Sequence, residues 1–376
     1  MEFRNLKKQY QTLKSEIDSN MQEVLQNTNF ISGRQVTELE EKLAKYVGVK
    51  HCISCANGTD ALSLALMAWE IGPGDAVFVP DFTFFSSGEV VSFEGAEAVF
   101  VDVKEDTFNI DPAKLRQAVM KVAGEKKYRP KVIIAVDLFG QPAEYEEIRK
   151  IADEFGLFVL EDGAQGFGGE INGKKACSFG DISTTSFFPA KPLGCYGDGG
   201  AVFTDNDEWA ALIGSYRIHG KGSYKYDNVR IGMNSRLDTL QAAVLLAKLH
   251  AFEQYEVSEV NRVAEKYTEE LAAVVKTPIV LDGYLSSWAQ YTIQLESREQ
   301  RDGLQNYLKE RGIPSMIYYP KAMHSQEAFA PFKGEESELS VTTGLCQKVL
   351  ALPMHPYMEE DEVIQITTAI KEYIGK

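Results

Sequence analysis

Between residues 51 and 160, apolar runs alternate with amphipathic segments, and this pattern constrains the fold more than any other feature. The runs at 76–80 and 132–136 are almost wholly apolar, which is typical of strands buried on both faces of a parallel sheet. The segment 112–123 repeats apolar residues at helical spacing and follows Asp111, a good N-cap. Alternation of this kind over about 200 residues predicts an α/β fold with a mainly parallel sheet covered by helices.

Both ends of the chain depart from this alternation. An amphipathic helix is predicted over 6–25, ahead of the first strand. A long helix over 237–252 is followed by mixed elements, predicted as helices at 258–274, 299–311 and from Glu360, and as strands at 288–295 and 313–319. We therefore expect a large domain over residues 1–250 and a smaller α+β C-terminal domain over residues 251–376.

The charge and the cysteines exclude several classes of protein. With 39 basic and 55 acidic residues, the net charge is −16, which argues against nucleic acid or an anionic membrane as the main partner. Five cysteines form an odd, sparse set that is typical of a reducing compartment. Cys52 and Cys55 have CxxC spacing but lie in an apolar run with no second ligand pair, so we expect buried strand cysteines and no metal site.

The sequence also bears on location. No apolar segment typical of a secretory signal follows Met1, and no run approaches the ~20 apolar residues of a membrane span. We expect a cytoplasmic protein.

One lysine has unusual surroundings. Lys191 lies among small residues, between an aromatic strand and the glycine-rich run 197–200, and Asp162 ends an apolar strand upstream. Pyridoxal phosphate requires an amine for a Schiff base and a carboxylate for its pyridinium nitrogen. The pair predicts such a site, with Lys191 also moving the proton during transamination. The alternatives are a surface lysine in a glycine-rich loop and a structural acid.

A second segment predicts a phosphate site. The run 57–60, Asn-Gly-Thr-Asp, lies between a strand and a helix, where free backbone N–H groups and the helix dipole attract an anion. We expect Gly58 and Thr59 to contact the phosphate, together with Ser186 from the lysine segment. A plain helix cap is the alternative, because Asn, Thr and Asp all cap helices well.

Further residues are expected at the cofactor ring. Gln165, three residues after the candidate acid, is expected to hydrogen-bond the 3-hydroxyl of the ring. Phe82, Phe84 and Phe85 follow a predicted strand, so one of them is expected to stack on the ring and at least two to pack in the core.

Two nucleotide-binding patterns are set aside. Residues 168–174 match GxxxxGK, but Lys175 stands where a Walker A loop has Ser or Thr, and Asn172-Gly173 indicates a tight hairpin turn. No GxGxxG occurs in the chain, which weakens a dinucleotide-binding interpretation.

Taken together, these segments resemble the DegT/StrS-type sugar aminotransferases, which are fold type I pyridoxal phosphate enzymes. The resemblance covers nearly the whole chain and is carried by Asn57-Gly-Thr-Asp-Ala-Leu62, Phe82-Thr-Phe84, Glu161-Asp-Gly-Ala-Gln165, Ser186-Phe-Phe-Pro-Ala-Lys191-Pro-Leu-Gly194, Gly197-Asp-Gly-Gly200 and Gly232-Met-Asn-Ser-Arg-Leu-Asp-Thr-Leu-Gln-Ala-Ala243. It implies a Schiff base at Lys191, Asp162 at the ring nitrogen, Phe84 on the ring, and a homodimer in which Asn234 reaches the phosphate across the interface.

The resemblance also implies a substrate class. The family acts on nucleotide-linked keto sugars, with L-glutamate as the usual amino donor. The segment 187–200 and the run Gly-Met-Asn-Ser-Arg most resemble a subgroup that aminates C3 of UDP-linked 2-acetamido-2-deoxy-3-oxo-glucuronic acid for cell-surface polysaccharides. Another nucleotide-sugar 3- or 4-aminotransferase, acting on a dTDP- or GDP-linked sugar, is the alternative.

Several residues are candidates for substrate contacts. A uronic acid carries a carboxylate, for which arginine is the natural partner, and Arg236 is the first candidate, ahead of Arg217 and Arg230. Each has a structural ion pair as its alternative. By resemblance, Tyr319 and His324 lie on the substrate side, although the family often has His-Leu-Gln where this chain has His324-Ser-Gln.

Two other functions stay open. Some family members replace the lysine with histidine and dehydrate sugars, whereas Lys191 favours transamination. A non-catalytic regulatory or structural relative is the second alternative, and the Lys191, Asp162 and Gln165 set argues against it.

Overall fold

The computed structural model describes residues 1–224, 226–332 and 336–375. The helices are Leu6–Asn27 (α1), Arg34–Val47 (α2), Gly58–Ala68 (α3), Ser86–Phe93 (α4), Pro112–Glu125 (α5), Tyr145–Phe155 (α6), Asp207–Tyr216 (α7), Thr239–Ala251 (α8), Val257–Leu271 (α9), Arg298–Glu310 (α10), Ser340–Lys348 (α11) and Glu360–Ile374 (α12). The strands are His51–Cys55 (β1), Asp75–Pro80 (β2), Glu97–Val101 (β3), Arg129–Val136 (β4), Phe158–Asp162 (β5), Glu170–Ile171 (β6), Lys174–Lys175 (β7), Ile182–Ser186 (β8), Gly200–Thr204 (β9), Tyr284–Leu285 (β10), Tyr291–Gln294 (β11) and Val349–Leu352 (β12).

A seven-stranded sheet forms the centre, in the order β1-β9-β8-β5-β4-β2-β3. The strands from β8 to β3 pair in parallel, and β9 pairs antiparallel with both β1 and β8. The predicted α/β fold with a mainly parallel sheet is confirmed.

Strand β2 shows why its sequence is an unbroken apolar run. Val77 and Val79 pack with α3 and α4 on one face of the sheet. Ala76 and Phe78 pack with α5 and α6 on the other face. Because alternate side chains of a strand point to opposite faces, a strand covered on both sides has no position that favours a polar residue.

Helices α1, α2 and α8 lie at the antiparallel edge of the sheet. Ile17 of α1 packs with Val244 and Ala247 of α8, and Leu39 of α2 packs with Leu245. Cys52 and Cys55 are buried on β1, as predicted. Within the residues that the structure describes, no helix is both long and apolar enough to cross a bilayer.

A second apolar cluster joins α9, α10 and α12 to a two-stranded sheet of β11 and β12. The strand predicted at 313–319 is wrong, since Met316 forms only a single bridge to Ala351. Pro314 and Pro320 lack the N–H that a ladder needs, and β12 takes the expected place beside β11. Helices α7 and α11 were not predicted.

Helix α8 passes into α9 through a π-helical turn, Phe252–Glu256. The domain boundary expected after residue 250 falls within this continuous helical run, and it stays a prediction.

Candidate active site

Sheet topology brings the candidate residues together. Because β9 is antiparallel to both β1 and β8, strands β1, β8, β5 and β2 all run the same way, so their carboxyl ends meet at one edge. Gly58 follows β1, Ser186 ends β8, Asp162 ends β5 and Phe84 follows β2. Ligands of open α/β sheets bind at this edge.

A cavity of about 890 Å³ opens at that edge. Nine of the candidate residues line it: Gly58, Thr59, Phe84, Phe85, Asp162, Gln165, Ser186, Lys191 and Tyr319. These residues lie far apart in the sequence, and the fold places them around one space large enough for a cofactor and part of a substrate.

Lys191 lies in the segment between β8 and β9, residues 187–199, which we call the lysine loop. Burial lowers the pKa of Lys191, while the charge of Asp162 raises it in part. Burial likewise raises the pKa of Asp162, and its hydrogen bonds and Lys191 oppose that rise. A buried amine of lowered pKa is readier to act as a nucleophile and to carry a proton.

Ser87 is a residue that the sequence did not single out. Its hydroxyl donates to Asp162 Oδ2 at 2.8 Å and lies 3.2 Å from the hydroxyl of Thr83, while the Ala164 N–H donates to Oδ1 at 3.2 Å. Ser87 is buried on α4. A serine on the buried face of a helix that follows a strand end was the sequence signal that could have identified it. These bonds hold the carboxylate in place.

Ser87→Ala is expected to move the acidic limb of the activity profile to higher pH. The hydrogen bond from Ser87 lowers the pKa of Asp162, so its loss lets burial raise that pKa further and the carboxylate protonates at higher pH. Hydrogen bonds to charged groups contribute about 1.5–3 kcal/mol. The measurement is kcat/KM against pH. Ser258→Ala is the control, because the Ser258 hydroxyl donates to the carbonyl of Tyr255 and does not line the cavity. An unmoved limb in Ser87→Ala contradicts the assignment.

The start of α3 fits a phosphate group. The side chain of Asn57 caps the helix by accepting from the Asp60 N–H at 2.8 Å. Gly58 and Thr59 of the same first turn line the cavity, and first-turn N–H groups have no partner within a helix and attract anions. A Cβ at Gly58 would lie 2.8 Å from Cβ of Ser186, so only glycine leaves the gap between these two segments open. The Thr59 hydroxyl lies 2.8 Å from that of Ser86.

The three phenylalanines after β2 have different surroundings. Phe82 is buried at 1% exposure, and the Phe85 ring packs 5.0 Å from the Phe329 ring. Phe84 and Phe85 both line the cavity, but Phe84 is 54% exposed whereas Phe85 packs on Phe329, so Phe84 is the more available of the two to a bound ring. Gln165 donates to the Tyr319 hydroxyl at 3.2 Å and accepts from the Phe139 N–H at 2.9 Å, which fixes its amide at the cavity wall.

The fold does not bring every candidate to the cavity. Among the described residues that line it, Met323 and Gln326 appear but His324 does not. His324 is buried, and its Nδ1 lies 2.6 Å from Oδ2 of Asp81. In this structure the His324 ring contacts Asp81 and not the cavity. The substrate contact expected of His324 stays a prediction.

The arginines also lie elsewhere. Arg217 donates to Oε1 of Glu40 at 2.7 Å, which is the structural alternative considered for it. Arg230 donates to the Ser215 hydroxyl at 2.6 Å. Arg236 donates to Oδ1 of Asn234 at 2.6 Å, and neither of these two lines the cavity within its own chain.

The GxxxxGK segment forms the hairpin turn that was predicted. Strands β6 and β7 pair antiparallel across Asn172 and Gly173, both of which have positive φ. The Lys174 amine lies 5.0 Å from the centre of the Phe179 ring, away from the cavity.

Comparison with known proteins gives the family. The profile of the DegT/DnrJ/EryC1/StrS aminotransferase family matches residues 11–371. The chain belongs to this family of aminotransferases. Pyridoxal phosphate is the cofactor of the family, and the cavity residues described above fit it.

Three relatives show the range of similarity. A UDP-2-acetamido-2-deoxy-3-oxo-D-glucuronate aminotransferase of Pseudomonas aeruginosa is 43% identical over 98% of this chain and 99% of its own. A protein of Geobacillus stearothermophilus named as a pleiotropic regulatory protein is 40% identical over 98% of this chain and 97% of its own. A crystal structure of a DegT/DnrJ/EryC1/StrS aminotransferase from Brucella abortus is 47% identical, covers 100% of both chains and superposes with a TM-score of 0.97.

Proposed function

We propose that this aminotransferase moves an amino group from L-glutamate to a nucleotide-linked keto sugar, with C3 of UDP-2-acetamido-2-deoxy-3-oxo-glucuronic acid as the first acceptor to test. The observation that supports the chemistry is that Lys191 and Asp162, whose charges interact, line one cavity together with the start of α3. The Pseudomonas aeruginosa relative, matched along nearly its whole length, supports the choice of sugar.

When bound, pyridoxal phosphate supplies an electron sink for the carbanion at the substrate carbon and carries the amino group between donor and acceptor. We propose that Gly58, Thr59 and Ser186 hold its phosphate, that Phe84 covers its ring and that Gln165 contacts its 3-hydroxyl. Asp162 pairs with the ring N–H and keeps that proton in place.

Lys191 acts in both halves of the reaction. Its amine holds the cofactor at rest, and after release it removes a proton at one carbon and returns it at the next. Burial favours the neutral amine that this step needs, because it lowers the pKa of Lys191.

We also propose a homodimer in which Asn234 and Arg236 act in the cavity of the partner. Among the described residues of the loop between α7 and α8, four apolar or aromatic side chains are exposed: Tyr224 by 77%, Tyr226 by 85%, Val229 by 55% and Ile231 by 90%. An exposed cluster of this kind is typical of an interface. Arg236 is then the candidate for the substrate carboxylate, and light scattering gives the number of chains.

The same proposal includes location and pathway. A nucleotide-sugar substrate and L-glutamate are cytoplasmic metabolites, so we propose a cytoplasmic enzyme whose product enters cell-surface polysaccharides such as lipopolysaccharide O-antigen.

One experiment tests the proposal. The visible absorption spectrum of the purified protein is recorded, then L-glutamate is added, and then candidate keto sugars. We expect a yellow protein whose band disappears with glutamate and returns with the correct sugar, which then carries nitrogen by mass spectrometry. Loss of water from the sugar without nitrogen gain favours a dehydratase instead.

A regulatory role is the second candidate, favoured by the name of the Geobacillus stearothermophilus relative. A protein that stays colourless with added pyridoxal phosphate, or that keeps its band with glutamate, contradicts the aminotransferase proposal and supports this alternative.

A further inference from the structure

Two cations, the half-buried Arg4 and the buried Lys248, donate hydrogen bonds to the main chain of the lysine loop. Arg4 Nη2 donates to the carbonyl oxygen of Lys191 at 2.8 Å and to that of Pro192 at 3.4 Å. Lys248 Nζ, on α8, donates to the carbonyl oxygen of Gly194 at 2.7 Å. Three carbonyl groups within four residues of the loop therefore have charged donors, which form stronger hydrogen bonds than neutral ones.

One carboxylate partly balances these cations. Glu256 lies at the end of the π-helical turn, is 2% exposed, and accepts from Gln9 at 2.9 Å and from the Tyr357 hydroxyl at 2.6 Å. Its charge raises the pKa of both Arg4 and Lys248, but burial outweighs it and lowers that of Arg4 to about 10 and that of Lys248 to about 8. Near neutral pH, the positive charges of Arg4 and Lys248 therefore outweigh the one negative charge of Glu256 at the lysine loop.

The N-terminal segment also contacts the opposite wall of the cavity. The carbonyl oxygen of Phe3 accepts from the Met354 N–H at 3.1 Å. The Phe3 ring lies 6.3 Å from the ring of Tyr318, which lines the cavity. Residues 3 and 4 therefore link the lysine loop to the wall that carries Tyr318.

We propose that Arg4 is a positioning residue for Lys191, fixing the main chain of the lysine loop so that the amine faces Asp162. The inference rests on the proposed function, which assigns the reacting amine to Lys191. It does not depend on which sugar is the acceptor. The guanidinium also acts at a distance, because its charge adds to burial in lowering the pKa of Lys191, against the opposite effect of Asp162.

Other titratable groups surround Lys191 and Arg4, and they come from several elements of the fold. Burial and the charges of Arg4 and Lys8 lower the pKa of His355 to about 4, so His355 is uncharged near neutral pH. The titratable and charged groups around Lys191 and Arg4 are Asp162 at the end of β5, Cys195 in the lysine loop, Lys8 in α1, Lys248 in α8, Glu256 in the π-helical turn and His355 after β12.

The test removes the Arg4 charge and follows the pH at which the visible band of the resting, cofactor-loaded protein changes. Arg4→Met loses the charge and both hydrogen bonds, and Arg4→Lys keeps the charge but replaces the planar guanidinium whose Nη2 donates to both carbonyl groups. Because a nearby positive charge lowers the pKa of an amine or imine nitrogen, Arg4→Met is expected to move the midpoint to higher pH. Arg4→Lys is expected to keep the wild-type midpoint.

Activity supplies the second measurement. Misplacement of a reacting group by about 1 Å can lower a rate on the order of 10²-fold, so we expect kcat to fall roughly tenfold in both variants with KM for glutamate little changed. Arg116→Met is the matched control, because Arg116 forms a surface ion pair with Glu154 on α6 and is expected to leave midpoint and kcat unchanged.

The possible outcomes separate the two proposals. An Arg4→Met protein with the wild-type midpoint and kcat overturns the role of Arg4. If Arg4→Met does not fold, Arg4→Gln removes the charge while keeping a donor, and the same unshifted midpoint overturns it. If the wild-type protein is colourless, the proposed function fails, and the pH dependence of Lys191 acetylation by acetic anhydride then compares the variants: an equal midpoint again contradicts the role of Arg4.

Discussion

Lys191→Ala is expected to abolish turnover. The substitution removes the amine that holds the cofactor and moves the proton between two carbons, and general acid–base catalysis alone contributes about 10²–10⁴-fold. We expect kcat to fall on the order of 10³-fold or more. Single-turnover mixing with L-glutamate, followed by the visible band, measures the first half-reaction without any need for the sugar.

Lys174→Ala is the matched control for that experiment. Lys174 belongs to the GxxxxGK segment but lies on β7, with its amine over the Phe179 ring and away from the cavity. We expect wild-type kinetics from it. A Lys191→Ala protein that still converts glutamate at a rate within tenfold of wild type rules out Lys191 as the proton-transfer residue.

The part of the site that the sequence predicted is the part built from local patterns. Apolar runs defined the strands, and a polar or glycine residue just past a run then fell at the carboxyl edge of the sheet, as Asp162 and Gly58 do. This works because a parallel sheet aligns the ends of its strands whatever their order. The antiparallel β9 did not disturb the prediction, since it returns between β8 and β1 and leaves both pointing the same way.

The contacts that support the site were not predictable in the same way. Ser87 and Asp162 are 75 residues apart, and Arg4 and Lys191 are 187 apart. Neither pairing produces a periodic pattern in the sequence. Each depends on how α4 or the N-terminal segment packs in the fold, and not on the secondary-structure preference of nearby residues. From the sequence alone, an arginine in a polar N-terminal segment is expected to be exposed to solvent, because arginine is mostly a surface residue.

The errors have equally specific causes. The apolar residues at 313–319 suggested a strand, but prolines at both sides limit the ladder to one bridge at Met316. Helix α11 and strand β12 follow one another directly, Ser340–Lys348 and Val349–Leu352, without a turn residue to separate them. The roles expected of Asn234 and Arg236 are not among these errors and stay predictions, since neither residue lines the cavity of its own chain.

Asp162→Asn is expected to lower kcat by at least about 10²-fold, the usual effect of removing one preorganised electrostatic contact. The amide has the shape of the carboxylate and can keep partners at Ser87 and at the Ala164 N–H, but it carries no charge to retain the proton on the ring nitrogen. The measurement is the single-turnover rate with L-glutamate. Asp111→Asn is the matched control, since Asp111 caps α5 and asparagine caps helices equally well.

The stability of the same variant decides between catalytic and structural roles for Asp162. Burial raises its pKa in the folded protein above the unfolded value, so the ionised group opposes folding at neutral pH, where the unfolded chain ionises more readily. Replacing it with a neutral amide should leave the Tm of the cofactor-free protein equal to or above that of wild type. Lost activity together with a lowered Tm would instead assign Asp162 a structural role, whereas lost activity with an undiminished Tm is the pattern of a group retained for chemistry at a cost in stability.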